Sequence, residues 1–361
     1  MTAEPLLLLT RPGCGLCDEF EEALHQLSLQ TPLPPLRLID VDSDPLLARR
    51  HGLDIPVLLW GETKVCQHRL DTPELAGCAG SNYGELFYLL APDPNGVING
   101  NVRRTGFVDS VTTSVIAHEF EHLINSSRRV YVTPDVTEFE VGWLDEGLAH
   151  IAEELLFLRV AGLTPRSNLD SVAVRSTERI RLSFNENMSS NASRYRSFLE
   201  KTTENSPFND DDSLETRGAA WNLLRYLADR KAGGSTSDAA TWQALVNTAK
   251  IGVPNLSTVF GSDLPTRVRD WNVSHYMDDL VTALPAEFGQ ASWNWHSLYK
   301  ALSKSGPAYP LQVKTFAAGA ASGTVLGGSA AYYRFSVPSN ATATITLTTT
   351  APIDARVVRI R

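Results

Sequence analysis

Hydrophobic and polar positions alternate with different periods along the chain, and the changes of period mark its parts. Residues 6–9 are an apolar run of strand length, Pro12 and Gly13 make a turn, and residues 18–29 repeat apolar positions at helical spacing. Residues 36–41 predict a second strand, and residues 55–59 begin a hairpin with Lys64, Val65 and Cys66. A helix should follow Asp71, Thr72 and Pro73, but Gly77, Cys78, Ala79 and Gly80 cut it short. Beyond this seam a strand is predicted at 86–90 and a turn-rich loop at 92–101. Val115, Ile116, Phe120, Leu123 and Ile124 then form a helical stripe, with Asp109, Ser110 and Thr113 as candidate N-caps. A polar loop at 125–141 leads to a second amphipathic helix with Leu148, Ile151, Leu155 and Leu158 on its apolar face.

Residues 170–305 read as mostly helical. The spacing predicts a helix over 215–230 through Ala219, Leu223, Leu224 and Leu227, ending at Gly233 and Gly234. Another is predicted over 241–251, ending at Gly252, and a third opens at Asp263, Leu264 and Pro265 with Asp as cap. From Leu311 the composition turns to Ala, Gly, Ser and Thr, and residues 331–337 and 343–349 alternate as strands around Pro338, Ser339 and Asn340.

The length of 361 residues, 43% of them hydrophobic, is enough for two or three domains with their own cores. The formal net charge is −9, and residues 1–78 carry twice as many acidic as basic side chains. Neither part is basic enough to expect nucleic acid or an anionic membrane as a partner. No apolar run reaches the length of a transmembrane helix. The opening residues lack a basic n-region and a long h-region, so no secretory signal is read and a cytoplasmic location is expected.

Two motifs carry chemistry. The first is Cys14-Gly15-Leu16-Cys17, a C-x-x-C in a short βαβ context, where a thiol at a helix N-terminus has a lowered pKa and a neighbour able to resolve a mixed disulfide. A structural zinc pair is the competing use of such cysteines. The second is His118-Glu119-Phe120-Glu121-His122, a match to H-E-x-x-H. Residues four apart share a helix face, so two imidazoles can hold one zinc ion while Glu119 reaches its water. A third ligand is needed. Glu146, near the start of the following helix, fits a His2Glu set, with Asp145 and His150 as competitors for that place.

Residues 118–125 (HEFEHLIN) followed by 143–154 (WLDEGLAHIAEE) resemble the hyicolysin family of secreted bacterial zinc peptidases, with similarity extending over about 81–305. The second block also resembles aminopeptidase N-like enzymes, within the broader glutamate-zincins. The resemblance implies His118, His122 and Glu146 as ligands of one zinc ion per chain, Glu119 as general base, and a peptide or protein as substrate. It departs from the family at Asp145, where Asn is usual, and in the long connection between His122 and Glu146. Strands that build the upper lobe of the cleft in that family are missing before residue 81. Its helical lobe carries an oxyanion-stabilising Tyr or His, for which Tyr226, His275 and Tyr276 are candidates. Residues 5–75 resemble short bacterial glutaredoxin-like proteins with a thioredoxin fold, through RPGCGLCDE, IDVDSDP and DIPVLL, with Pro56 in the place of that fold's cis-proline. This implies Cys14 as nucleophile and Cys17 as resolving thiol.

The expected fold is α/β followed by mostly α. A thioredoxin-like domain spans 1–77, and a thermolysin-like zincin region spans 80–305, with its ligand lobe at 80–170 and its helical lobe at 171–305. A partial β-sandwich segment fills 311–361. The expected function is zinc-dependent peptide hydrolysis, in tension with the cytoplasmic expectation because the peptidase relatives are secreted. Two alternatives remain: a thiol–disulfide oxidoreductase with an inactive peptidase-like remainder, and a zinc-binding interaction protein without catalysis.

Overall fold

The computed structural model describes residues 5–29, 33–61, 63–68, 70, 89–98, 100–136, 138–231, 237–302, 308–316 and 319–360. The chain divides into two compact units, one of residues 1–88 with 130–133 and one of residues 89–129 with 134–361.

In the first unit, β1 (Leu6–Thr10), β2 (Leu36–Asp40), β3 (Val57–Trp60) and β4 (Thr63–Gln67) form a sheet of order β2-β1-β3-β4. β1 runs parallel to β2 and antiparallel to β3, and β3 pairs antiparallel with β4. The parallel pair requires a crossover, supplied by α1 (Gly15–Ser28). β1 is apolar from Leu6 to Leu9 because both of its faces pack against other side chains. Leu6 and Leu8 pack with Phe20, Leu24, Leu58 and Val65, while Leu9 packs with Val57 and Leu59. Helix α2 (Pro45–His51) is capped by Asp44, whose carboxylate accepts from the Leu46 N–H at 2.7 Å, with Pro45 in its first turn. The Ile55–Pro56 peptide is cis. This small sheet with its helix has the thioredoxin-like arrangement. α1 starts at Gly15, earlier than the apolar spacing predicts, because the Cys14 sulfur caps it by accepting from the Cys17 N–H at 3.2 Å.

The second unit is largely helical. It contains α3 (Thr105–Ser127), α4 (Gly142–Ala161), α5 (Glu178–Asn187), α6 (Ser189–Glu200), α7 (Leu214–Lys231), α8 (Ala239–Val246), α9 (Gly252–Phe260), α10 (Leu264–Met277) and α11 (Trp295–Leu302). Strands β5 (Val313–Thr315) and β6 (Tyr332–Arg334) pair in parallel. The core joins α4, α6, α7, α10 and α11 through Phe157, Tyr195, Trp221, Trp271, Trp293 and Trp295. Among the described residues, no helix is long and apolar enough to cross a membrane.

Several expectations are corrected. α3 begins at Thr105, so Asp109, Ser110 and Thr113 lie inside it. The Ser110 and Thr112 hydroxyls donate back to the carbonyls of Phe107 and Val108, which lets polar residues continue the helix. Ile116, Phe120 and Ile124 are exposed, while His118 and Asn125 are buried, so the buried face of α3 is polar and not the apolar stripe. Helix continues to Ser127 and a π-helical turn follows at Arg128–Val132, which shortens the expected polar loop. On α4, Leu148, Ile151 and Leu158 are buried but Leu155 is exposed. Gly252 opens α9 and does not end α8, and its N–H donates to Glu140. Asp263 precedes α10 as expected, but its carboxylate accepts from Arg267 and caps no N–H. Leu89 and Leu90 have no regular structure, and the rest of the predicted 86–90 strand lies outside the described residues. The helix predicted after Pro73 and the glycine stop at Gly233 and Gly234 also lie outside them. Residues 343–349 form no strand, and the described C-terminal segment has a two-stranded pair in place of a partial sandwich.

Gly218 in α7 allows the closest approach to α6. A Cβ there would lie 2.3 Å from the Arg194 carbonyl carbon and 2.4 Å from the Tyr195 nitrogen, both rigid backbone atoms. Gly218→Ala is expected to cost about 3 kcal/mol and lower the melting temperature by roughly 6–12 °C. Gly106→Ala, whose Cβ would meet nothing within 4 Å, is the control and should be close to neutral in the same thermal melt.

Candidate functional site

Helices α3 and α4 meet through ionisable side chains. The i, i+4 spacing of the H-E-x-x-H segment puts His118 and His122 on one face of α3, their ring centroids 4.9 Å apart. Glu146, one turn into α4, faces both rings. Its Oε2 lies 3.4 Å from His118 Nε2, and its Oε1 lies 3.9 Å from His122 Nε2. Glu146 thus approaches both rings, but by mutual donor distance His118 groups with Glu146 and His150, and His122 with Glu121 and Asp145. Glu119 is exposed on the same turn of α3.

The competitors for the third ligand place sit on the same cluster. Asp145 Oδ2 is 2.7 Å from His122 Nδ1 without an aligned hydrogen bond, while its Oδ1 accepts from Asn125 Nδ2 at 2.6 Å. Asn125 in turn accepts from the buried Arg129, which pairs with Glu140. His150, one turn beyond Glu146, has Nε2 3.8 Å from Glu146 Oε2. Donor atoms of His118, Glu146 and His150 lie within 4.8 Å of one another, as do those of Glu121, His122 and Asp145.

Three participants escape the sequence motif. Glu153 lies 3.1 Å from His118 Nδ1 and 3.2 Å from His150 Nδ1. Arg217, in the first turns of α7, places Nη2 2.9 Å from Glu146 Oε1 and also pairs with Asp212. Arg194 of α6 is 3.8 Å from Glu153. Glu153 was detectable in principle, since it follows Glu146 by two helical turns and His150 by one. Arg217 and Arg194 come from distant helices and leave no local signal. Tyr226 and His275 are buried, with the Tyr226 hydroxyl donating to the Glu287 carbonyl and His275 Nδ1 2.9 Å from the Tyr332 hydroxyl. Tyr276 receives a hydrogen bond from Arg334. None of the three has a described contact with the cluster.

Charge on the site follows from these contacts. Burial works against a charged His118, but the Glu146 and Glu153 carboxylates outweigh it and raise its pKa to about 9. Burial also opposes ionisation of Glu153, yet His118 and His150 bring its pKa down to about 2. Burial lowers the His150 pKa. Loss of water and the neighbouring Asp145 raise Glu121 well above the usual carboxylate range.

The C-x-x-C segment is the second chemical feature. Cys14 and Cys17 are joined by a disulfide at the N-terminus of α1. Cys14 is partly exposed and Cys17 is buried. The Cys17 N–H that faces the Cys14 sulfur, at the N-terminus of α1, favours a thiolate there once the bond is reduced.

Residues 5–77 match the family described as a glutaredoxin-like domain (DUF836). No curated protein and no solved structure matches the chain.

The His118 shift sets a pH dependence for protein treated with a chelator. A pKa raised from 6.5 to about 9 contributes stability that is full below pH 6.5 and is lost as pH rises through 9. The melting temperature of chelated protein should therefore fall between pH 6.5 and 10, and the fall should be smaller in His118→Asn. Glu154 and Asp278, whose pKa values burial raises to about 7 and about 8, lose their contributions in both proteins alike, so the difference between wild type and variant isolates His118. Equal slopes in the two proteins would contradict the assigned charge.

Proposed function

We propose that the second unit is a zinc-dependent hydrolase of peptide bonds, with His118, His122 and Glu146 holding one zinc ion and Glu119 acting as general base. The observation that carries this reading is the approach of two imidazole Nε2 atoms on α3 to one carboxylate on α4, at 3.4 and 3.9 Å. The donor set suits zinc, since two imidazoles and a carboxylate with room for water are a catalytic arrangement. The buried Glu146 Oε2 has no hydrogen-bond partner, as a donor atom reserved for a cation would not. The choice of peptide bonds follows the resemblance of HEFEH and WLDEG to the hyicolysin family.

Zinc, when bound, supplies Lewis acidity that lowers the pKa of a coordinated water from about 15.7 toward about 7. The chain's own residues do the rest. The exposed Glu119 carboxylate takes a proton from water onto its oxygen and passes it to the leaving amine nitrogen. Asp145 and Glu153 lie 2.7 and 3.1 Å from the Nδ1 atoms of His122 and His118, and their charge favours a proton at Nδ1 with Nε2 toward Glu146. Burial opposes ionisation of Glu146, but His118 and then Arg217, 2.9 Å from Oε1, hold its pKa below the usual carboxylate value. Glu119→Ala should retain about one zinc per chain and lose casein hydrolysis by about 100-fold or more. Loss of the metal, or full activity in the variant, would show that Glu119 is not the base.

A second activity is proposed for the first unit, supported by the family match and by the bonded Cys14–Cys17 pair. The Cys14 thiolate attacks a substrate disulfide, forming a mixed disulfide and releasing one thiolate. Cys17 then attacks the Cys14 sulfur, releasing the second thiol and closing the intramolecular disulfide, so two electrons pass to the substrate. Two molecules of glutathione, which leave as glutathione disulfide, or one molecule of a dithiol return the pair to its reduced state. Cys14→Ser should abolish glutathione-coupled reduction of a small disulfide, while Cys17→Ser should accumulate the mixed disulfide, seen by mass spectrometry. Turnover that survives Cys14→Ser would rule this role out.

A further inference from the structure

The imidazole of His150 is 0% exposed, and its Nε2 is a buried atom without a hydrogen-bond partner. Its other nitrogen, Nδ1, lies 3.2 Å from Glu153 Oε2. A ring held by a carboxylate at one nitrogen and left unpaired at the other is costly inside a protein, unless the free nitrogen has a ligand. That nitrogen is 3.8 Å from Glu146 Oε2, itself buried and unpaired.

His118 lies beside this ring with a different pairing, its buried Nδ1 having no aligned hydrogen bond. Its Nδ1 is 3.1 Å from Glu153 Oε1, its Nε2 is 3.4 Å from the same Glu146 Oε2, and its ring centroid is 4.7 Å from that of His150. The two oxygens of Glu153 therefore face the Nδ1 atoms of two imidazoles, whose Nε2 atoms face one oxygen of Glu146. A carboxylate at the far nitrogen is the usual partner that orients a metal-binding imidazole. Here one carboxylate serves two rings. Arg217 pairs with the other oxygen, Glu146 Oε1, which leaves Oε2 to the two rings.

We propose that His150 is a ligand of the same metal ion as His118, His122 and Glu146, and that Glu153 positions His118 and His150 to bind through Nε2. The inference rests on the metal-site reading above and extends its donor set from three to four. Each helix then supplies a pair of donors at i, i+4 spacing. Four protein donors close a tetrahedral zinc site, so water can join only if the ion accepts a fifth ligand. The chemistry accordingly favours a divalent first-row cation that takes five or six ligands, or zinc in an expanded sphere. Asp212, Arg194 and Arg217 are the further charged groups around this face of the cluster.

The test uses the full chain loaded with Co2+ and proton NMR in water. An imidazole bound through Nε2 keeps its Nδ1 proton, which gives one strongly shifted, exchangeable signal per bound ring. Three such signals are expected in the wild type and two in His150→Gln. Co2+ affinity should fall by more than about 100-fold in His150→Gln, beyond the roughly 10–100-fold typical of an orienting partner, and within that lower range in Glu153→Gln. Two signals in the wild-type protein that both persist in His150→Gln would overturn the role of His150 while leaving the three-ligand site intact. A wild-type chain that binds no Co2+ would instead overturn the metal-site reading together with this inference.

Discussion

Two helices joined through buried ionisable groups are held by the pairing of those groups, although some of their atoms, among them Glu146 Oε2 and His150 Nε2, have no hydrogen-bond partner, and this seam governs the second unit. α3 meets α4 through His118, Asn125, Glu146, His150 and Glu153, all placed where an apolar seam would be ordinary. A charge taken out of water without a partner costs several kcal/mol, and removing one member of a buried pair typically costs about 3–5 kcal/mol. The seam is therefore directional in a way that packing of leucines is not. His118 has Glu146 at one nitrogen and Glu153 at the other, so its ring orientation and the placement of α3 on α4 are fixed by the same contacts. The apolar positions of α3 are freed from this task, and Ile116, Phe120 and Ile124 are exposed.

The opposite side of α4 is anchored differently. Leu148, Ile151, Phe157 and Leu158 enter a core rich in aromatic rings, where Phe157 stacks on Trp293 at 5.7 Å. Glu154 is fully buried there, accepting from Trp293 Nε1 at 2.6 Å and lying 3.6 Å from Arg225. Arg225 also pairs with Asp229 and Asp238, so the acidic group on the core face of α4 is balanced by a cation from α7. One helix thus carries Glu146, His150 and Glu153 toward α3 and a locked aromatic face toward the core. Functional side chains held on such an element keep their geometry better than side chains on loops.

How far this was legible in the sequence depended on whether the information was local. The i, i+4 pairs and the position of Glu146 are helical periodicities, and a period is visible in one sequence. So were the βαβ start and the C-x-x-C turn of the first unit. The start of α3 was not, because Ser110 reads as a cap when seen alone and becomes helix interior only once its hydroxyl finds a carbonyl one turn back. Nor was the burial of α3: an apolar stripe normally marks the inward face, but here the polar groups of His118 and Asn125 have partners on α4 and claim that face. Arg217 and Arg194 reach the cluster from α7 and α6, and no spacing rule connects them to Glu146 or Glu153. The same holds for Gly218, whose need for a missing Cβ exists only because the Arg194 backbone lies against it.

The two chemistries draw on disjoint side chains, and that separation is itself a physical statement. All four cysteines lie within the first 78 residues, and the nitrogen and oxygen donors of the proposed metal site lie between residues 118 and 153. Thiolates bind zinc strongly, so a reduced Cys14–Cys17 pair is a competitor for the ion, but two sulfurs make half of a structural site at best. Imidazole and carboxylate donors do not change with redox potential, whereas the pair in the first unit exists as a disulfide or as two thiols according to its surroundings. On the proposed reading, a metal ion on the second unit would compete with protons for His118, while thiol exchange on the first would follow potential. Each site has its own variable, and neither needs the other's to be set.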